Sequence, residues 1–326
     1  MRRVVCQAWG PPEDLVVEEE PTPQPGPGQV LVEVAAAGVN FVDALFVAGT
    51  YQIKVPPPFT PGSELAGTVV AVGDGVDEVE AGDRVLSSLG LGGYASHALV
   101  SASSLTPVPE TLDLATAAAL VQSYCTAWFT LTRRTTVEAG EHVLVLGAGG
   151  GVGLATIDVA RSLGAQVIAA ASSPEKLAAA TEMGAEATIS YEDEDLKARA
   201  RELAGGGGVD LAIDTVGGRH TEPALRALRP FGRLAIIGFA AGSIPSIPAN
   251  QVLLNNRTVV GVDWGAWAMR HPAEQAQLLA EVLDAVGSGR LHPTTPATRP
   301  LDEAGSVLRD LLERRLLAKT VLVPQR

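Results

Sequence analysis

The chain has 326 residues, enough for about two domains, and 46% of them are apolar, which is typical of a folded chain with a sizeable core. Its 24 lysines and arginines stand against 37 aspartates and glutamates, so the formal net charge is −13. Such an acidic chain repels phosphate backbones and anionic membranes, which disfavours nucleic-acid binding, and no run of about 20 apolar residues predicts a membrane span.

The cysteine content and the N-terminal residues indicate a compartment. Only Cys6 and Cys125 are present, too few for a disulfide framework or a structural zinc site. The opening sequence MRRVVCQAWG lacks the apolar core and the cleavage site of a signal peptide. We therefore expect a protein of the reducing cytoplasm.

The first third of the chain has the pattern of a small β-domain. Gly and Pro clusters such as PTPQPGPGQ and VPPPFTPGS separate short runs that are Val-rich or alternate in polarity. Strands at such regular spacing predict a barrel or a sandwich. The predicted strands are Val30–Ala37, Ala66–Val72, Arg84–Ser87 and Tyr94–Val100.

The central part has a different rhythm. An Ala-rich, Pro-free segment, Leu112–Thr132, is predicted to be a helix, and beyond it six short apolar runs alternate with helical segments. Apolar strands separated by helices indicate a parallel sheet covered on both faces, and six of them match the doubly wound dinucleotide-binding sheet. The predicted strands are Val143–Leu146, Gln166–Ala170, Ala187–Ser190, Val209–Asp214, Gly232–Gly238 and Thr258–Val262.

The C-terminal part returns to helices, predicted over Pro272–Val286 and near Asp302–Arg314, and closes on a strand, Thr320–Val323. A strand with no neighbour in the α/β region is expected to rejoin the first domain. We therefore predict a discontinuous first domain, residues 1–123 and 266–326, and a second domain, residues 124–265.

A glycine-rich loop is the most informative segment. The strand Val143–Leu146 leads through glycines into a helix, and the pattern is Ala148-x-Gly150-x-x-Gly153 in place of the strict G-x-G-x-x-G. Backbone N–H groups at a helix N-terminus face an anion, and glycines let a diphosphate approach. The context of strand, loop, helix and strand favours dinucleotide binding over a turn without a ligand. The predicted diphosphate-binding residues are Gly150, Gly151, Val152 and Gly153.

The end of the next strand distinguishes between dinucleotides. NAD-binding folds place an acid there on the ribose hydroxyls, but no acid occurs between Val159 and Pro174. Ser172, Ser173 and Lys176 could instead hold a 2′-phosphate, so NADPH is the predicted cofactor. The alternative is that these residues only start a helix, with Ser173 as its cap.

Several further segments resemble the medium-chain dehydrogenase/reductase superfamily, and within it the zinc-free, zeta-crystallin-like quinone oxidoreductases. They are AAAGVNFVDALFVAGTY, PFTPGSELAGTVVAVGDGV, AGDRV, GGYASHALV, GAGGGVGLA, IDTVGG, GRLAIIGFAAGSIPSIPAN and RRLLAKTVLVP. The resemblance covers essentially the whole chain. It implies a GroES-like β-barrel catalytic domain, a Rossmann domain that binds NADPH, and a homodimer.

The resemblance also implies chemistry without a metal. Zinc-dependent members carry a Cys and a His ligand where this chain has Asn40 and Ser63, and the four-cysteine zinc lobe is missing. The five histidines are scattered without ligand spacing. Asn40 is then expected to contact cofactor or substrate, while Asp43 only braces the loop.

The remaining candidate site residues come from the resemblance and from their places after the predicted strands. Tyr51 could orient a substrate carbonyl or donate a proton, or simply pack against the loop VPPPF. Tyr191 could stack on the adenine end. Nicotinamide contacts are expected from Thr126, Gly238, Phe239, Ala240 and Trp264, and positive charge near the cofactor from Arg314 and Lys319.

Together these features predict a metal-free hydride transfer from NADPH to a small-molecule quinone. An enoyl- or acrylyl-type reductase of α,β-unsaturated carbonyls is the first alternative, since the chemistry at the nicotinamide ring is the same. A NADPH-binding structural or sensor protein with little turnover is the second. The Val-rich segment Thr258–Gly265 would form an unblocked sheet edge, which also favours a homodimer.

Overall fold

The computed structural model describes residues 1–324. They form two compact units: the first comprises Met1–Gln122 and the chain from Thr294 onward, and the second comprises Ser123–Pro293. No helix of the described chain has the length and apolar character needed to cross a membrane.

The elements are numbered in chain order. The strands are β1 Arg2–Val5, β2 Val16–Glu19, β3 Gln29–Gly38, β4 Glu64–Val72, β5 Arg84–Ser88, β6 His97–Ser101, β7 Leu105–Pro107, β8 His142–Leu146, β9 Gln166–Ala171, β10 Ala187–Ser190, β11 Val209–Asp214, β12 Leu228–Ile236, β13 Thr258–Gly261, β14 Ala297–Pro300 and β15 Thr320–Val323. The helices are α1 Phe41–Val47, α2 Leu114–Phe129, α3 Gly151–Ser162, α4 Pro174–Glu182, α5 Leu196–Leu203, α6 Thr221–Ala227, α7 Ala249–Leu253, α8 Trp264–Arg270, α9 Pro272–Gly287 and α10 Ala304–Leu312.

The second unit contains a parallel sheet with the strand order β10-β9-β8-β11-β12-β13. In chain order this is 3-2-1-4-5-6, the doubly wound order that the sequence predicts. The central strands β8 and β9 are buried except at their first residues, because helices cover both faces of such a sheet. The doubly wound fold is therefore confirmed.

Local signals explain where the crossover helices begin. Ser173 and Asp195 precede α4 and α5, and each side chain accepts a hydrogen bond from a backbone N–H in the first turn. Pro174 occupies the first position of α4, where its missing N–H costs nothing. The helix-cap interpretation of Ser173 is thus confirmed.

The first unit is built on a seven-stranded sheet in the order β14-β15-β3-β4-β5-β7, with β6 also paired to β3. All its pairs are antiparallel except β14 with β15. Buried Val, Leu and Ala side chains of β3, β4 and β5 supply much of its core. The predicted return of the C-terminal strand is confirmed, since β15 pairs with β3.

Three predicted elements have an end that lies three or more residues from its predicted place. Strand β6 begins at His97 rather than at Tyr94, because Tyr94 is fully buried and its N–H donates to the Pro61 carbonyl instead. Helix α2 ends at Phe129 and continues as a π-helical turn over Thr130–Arg134. Strand β12 begins at Leu228 and ends at Ile236.

The division into units also differs from the predicted domains. The sequence places the second boundary after residue 265, whereas α8 and α9 belong to the second compact unit, which ends at Pro293. Side chains tie these helices to that unit: the Trp128 indole donates to Glu281 of α9 at 2.8 Å, and Arg133 pairs with the same carboxylate. A helical segment after a sheet carries no sequence signal for the unit it packs against.

Candidate active site

The glycine loop of the second unit runs from the end of β8 into α3. Gly147 has a φ of +69°, and a Cβ there would overlap the Thr215 hydroxyl. A Cβ on Gly153 would overlap the Gly147 carbonyl oxygen. Glycine is required at both positions, because the loop folds back tightly on the first turn of α3.

The start of α3 presents backbone donors. Gly150 is the N-cap residue and lacks a side-chain cap. The first N–H groups of a helix have no intrahelical acceptor, so those of Gly151, Val152 and Gly153 point out at the positive end of the helix dipole. This arrangement fits a diphosphate, as predicted from the loop.

The end of β9 lies beside this loop. The Ser173 hydroxyl caps α4, since it accepts the backbone N–H of Lys176 at 3.5 Å. Ser172 is half-buried. The half-buried Lys176 packs directly over the loop, since a Cβ on Gly149 would lie 2.5 Å from the Lys176 Cβ. The base of the Lys176 side chain thus lies next to the diphosphate-binding donors.

Other predicted residues follow the parallel strands at the same carboxyl edge of the sheet. The Tyr191 ring, after β10, packs on buried His220 with ring centroids 4.2 Å apart. Gly238 and Phe239 follow β12, where the Gly238 N–H donates to the Asp214 carbonyl at 3.3 Å. Strand ends at this edge form the ligand crevice of doubly wound sheets.

Thr126 and Trp264 are both buried within the second unit. The Thr126 carbonyl accepts the Thr130 hydroxyl at 2.7 Å, at the start of the π-helical turn. Trp264 opens α8 just after β13, and its indole N–H donates to Gln275 at 2.7 Å. Their proposed contacts with nicotinamide stay predictions.

In the first unit, Asn40 and Ser63 lie together, as expected from the resemblance. The Asn40 amide nitrogen donates to the Ser63 hydroxyl at 3.2 Å and to the Glu64 carboxylate at 2.8 Å. Its carbonyl oxygen accepts from the Lys319 ammonium. Because both amide hydrogens have partners, the Asn40 NH₂ group can donate to a substrate or cofactor only by giving up one of these bonds.

Lys319 is held by contacts within the first unit. Its ammonium donates to the Glu64 carboxylate at 2.8 Å, to the Val39 carbonyl at 3.1 Å, and to Asn40. The three donors are therefore used within the first unit, and the role of this charge near the cofactor stays a prediction. Arg314 is exposed with a φ of +59°, just beyond the end of α10, and its role at the cofactor stays a prediction.

Asp43 is fully buried and braces the loop before α1. One of its oxygens accepts the Asn40 N–H at 2.8 Å and the Tyr94 hydroxyl at 3.0 Å. Burial raises the pKa of Asp43 to about 6, although these hydrogen bonds oppose the shift. Burial, together with the Asp43 charge, also raises the pKa of Tyr94.

Tyr51 is half-buried, and its ring lies against Phe46 with centroids 4.8 Å apart. The ring thus packs on α1, while packing against the loop VPPPF and a role as a carbonyl or proton partner both stay predictions. The sequence did not single out Glu64 or Tyr94. The one available signal was for Glu64, a charged residue at the start of the otherwise largely apolar strand β4, whose sequence begins ELAG.

Metal ligands and cavities do not point to another reaction centre. Within residues 1–324, no three His, Cys, Asp or Glu side chains are arranged to hold a metal ion. A cavity of about 810 Å³ in the first unit is lined by Glu19, Glu20, Glu33 and His97 but by none of the predicted site residues. Its three glutamates do not suit an anionic dinucleotide.

Comparisons with known proteins agree with this geometry. The model of the alcohol dehydrogenase GroES-like domain matches residues 26–110, and that of the zinc-binding dehydrogenases matches residues 151–284. Quinone oxidoreductase-like protein 2 of Bos taurus is 40% identical over 94% of this chain and 88% of that protein. The 2-haloacrylate reductase of a Burkholderia species is 35% identical, with 98% of each chain covered. Escherichia coli quinone oxidoreductase complexed with NADPH has a TM-score of 0.90 and 28% identity, covering 99% of this chain and 100% of that one.

Proposed function

Since this chain belongs to the zinc-free quinone oxidoreductase branch of the medium-chain dehydrogenase/reductase superfamily, we propose that it is an NADPH-dependent oxidoreductase that reduces a quinone without a metal. The observation that carries the proposal is the contact of Lys176 with Gly149, which places the base of a lysine side chain beside the N-terminal donors of α3. NAD-specific folds place a carboxylate near this point instead.

The residues of the second unit fit the cofactor. The N–H groups of Gly151, Val152 and Gly153 would hold the diphosphate, and Lys176 with the Ser172 hydroxyl would hold the 2′-phosphate. Tyr191, held by its packing on His220, would face the adenine. Thr126, Gly238, Phe239 and Trp264 would position the nicotinamide. Bound NADPH supplies the hydride, and that redox chemistry belongs to the cofactor.

The residues of the first unit have a different task. Asn40 and Tyr51 would orient the acceptor and give a polar contact to the oxygen on which negative charge develops. No strong protein acid is needed, because a hydroquinone or enolate oxygen can take its proton from water. The Lys319 ammonium lies beside Asn40, and its positive charge opposes the binding of a divalent cation at this place.

The second candidate function is the reduction of activated double bonds. The likeness to the 2-haloacrylate reductase favours it, at 35% identity over 98% of the chain. Quinones and unsaturated carbonyls are both electron-poor acceptors of a hydride. The same site therefore suits either class, and the two differ only in acceptor shape.

We further propose a homodimer through β13. Within residues 1–324 this strand pairs on one side only, with β12. The Val262 N–H points inward to the Ile236 carbonyl, so the alternating backbone groups of Val259 and Gly261 face outward. Arg134 already covers the Gly261 carbonyl, at 3.1 Å, which leaves Val259 as the main site for pairing with a second copy.

Steady-state oxidation of NADPH, with a panel of quinones and a panel of enones, tests the proposed function. We expect turnover with quinones, retained activity after dialysis against a chelator, and preference for NADPH over NADH. Lys176→Met should lower the rate of NADPH oxidation and leave the rate of NADH oxidation unchanged. The NADH rate of the same variant is the matched control. Faster turnover of enones would favour the reductase of activated double bonds. Tight NADPH binding without turnover of either panel would favour a structural or sensor protein.

A further inference from the structure

The Lys319 ammonium has a complete set of hydrogen-bond partners inside the first unit. An ammonium has three donors, and here three acceptors from two separate segments meet it: the Val39 carbonyl, the Asn40 carbonyl oxygen and the Glu64 carboxylate. Lys319 is only 9% exposed and Glu64 is fully buried. The ammonium is therefore an internal cation and not a surface charge.

Glu64 is equally saturated. One carboxylate oxygen accepts from Lys319 and from the Asn40 amide nitrogen, both at 2.8 Å, and the other accepts the Gln122 N–H at 2.8 Å. The carboxylate lies against Gly38, where a Cβ would overlap it and would also come within 2.5 Å of the Ala118 carbonyl. The absence of a side chain at Gly38 thus leaves space for the buried Glu64 carboxylate. A buried carboxylate needs a counter-ion, and Lys319 provides it.

This ion pair determines which way the Asn40 amide faces. The carbonyl oxygen of the amide is directed at the ammonium, and the NH₂ group is directed at Glu64 and Ser63. The reversed amide would place its NH₂ hydrogens against the donors of Lys319 and its oxygen against the Glu64 carboxylate. Both contacts would be repulsive, so Lys319 and Glu64 select one orientation.

We propose that Lys319 is a positioning residue, whose ammonium fixes the orientation of the Asn40 amide, so that the NH₂ group is the group that can exchange its bond to Ser63 for a bond to the substrate oxygen. This inference rests on the proposed function for its effect on turnover. The amide orientation itself is independent of any substrate.

Nuclear magnetic resonance tests the orientation without a substrate. The sequence has four asparagines, Asn40, Asn250, Asn255 and Asn256, so selective ¹⁵N-asparagine labelling gives few side-chain NH₂ pairs. The Asn40 pair, identified by its loss in Asn40→Ser, should be shifted and protected from solvent exchange. In Lys319→Met this pair should lose its shift and exchange at least tenfold faster. An unchanged Asn40 pair in Lys319→Met would overturn the proposal, whatever the enzyme proves to reduce.

Paired variants separate positioning from simple stabilisation. Lys319→Met leaves Glu64 buried and uncompensated, so both the melting temperature and kcat should fall, with little change in the KM for NADPH. The double variant Lys319→Met/Glu64→Gln removes both charges and should regain the melting temperature. Its kcat should stay at least tenfold below wild type, because the neutral amide introduced at position 64 can either accept from or donate to Asn40 and no longer selects one orientation of the Asn40 amide. Recovery of kcat together with the melting temperature would show that Lys319 acts only on stability.

Discussion

Lys176 lies directly over Gly149, so close that a Cβ on the glycine would be 2.5 Å from the Cβ of the lysine. The contact joins the start of α4 to the loop between β8 and α3, although the two residues are far apart in sequence. The absence of a side chain at position 149 thus allows Lys176 to pack against the loop.

Gly149→Ala should therefore weaken NADPH binding. The added methyl group must displace either Lys176 or the loop, and overpacking of this kind typically costs about 1–3 kcal/mol. We expect the Kd for NADPH, measured by fluorescence titration, to rise about tenfold or more. Gly207→Ala is the matched control, since a Cβ there meets nothing within 4 Å. Equal NADPH affinity of both variants would contradict the contact.

Ser172→Asp should reverse the preference between cofactors. A carboxylate beside a 2′-phosphate repels it, so NADPH binding should weaken at least tenfold, about 1.4 kcal/mol, while NADH binding should hold or improve. Ser172→Asn controls for size without charge. Ala171→Asp is a less suitable variant, because Ala171 is fully buried and a buried carboxylate would also destabilise the fold. An equal loss for NADH and NADPH would place the 2′-phosphate elsewhere.

Asp43 should make stability depend on pH in a defined window. Its pKa in the folded chain is raised from 3.8 to about 6 by burial, so between about pH 4 and pH 6 the folded state binds more protons than the unfolded state. The free energy of unfolding contributed by Asp43 therefore falls as pH rises through this window and is level above it.

The comparison with Asp43→Asn isolates this contribution. We expect the difference in unfolding free energy, wild type minus variant, to decrease from pH 4.5 to pH 6.5 and then to stay constant to pH 7.5. Urea unfolding at each pH provides the measurement, and the other titrating groups cancel in the difference. A difference that increases over this range would mean that Asp43 is stabilised as a carboxylate.

Val259→Pro should shift the protein from dimer to monomer. Proline removes the outward N–H that a second β13 would use, and proline at an edge prevents pairing. Light scattering should give twice the chain mass of 33.6 kDa for wild type and the single mass for the variant. Val262→Pro is a poor substitute, because the Val262 N–H bonds to Ile236 within the sheet. A monomeric wild type would show that the edge needs no partner.

The parallel sheet is largely predictable from the sequence. Its central strands β8, β9 and β11 are short, largely apolar runs, because helices cover both faces, and Gly, Ser, Asp and Pro mark the starts of the helices between the strands. The glycine loop is predictable for the same reason: Gly147 and Gly153 stand where a side chain would overlap the backbone or a neighbour.

The polar cluster around Lys319 is not predictable in this way. Lys319 meets its partners across sequence separations of 255 to 280 residues, and no local pattern encodes such a pairing. A lysine near a C-terminus has the sequence character of a solvated cation. Only the pairing of β15 with β3 brings it to Asn40 and Glu64. The same absence of local signal applies to α8 and α9, which the sequence assigns to the first domain.

The pairing of β15 with β3 has a consequence for biosynthesis. The second unit, Ser123–Pro293, is complete before the last strand leaves the ribosome, whereas the first unit lacks a strand of its sheet until Thr320–Val323 has been made. The N-terminal segment therefore emerges first yet finishes folding last. Until then the C-terminal end of β3 lacks its partner strand and Glu64 has no counter-ion, so a chain truncated before β15 should be a target for chaperones and proteases rather than a partly active enzyme.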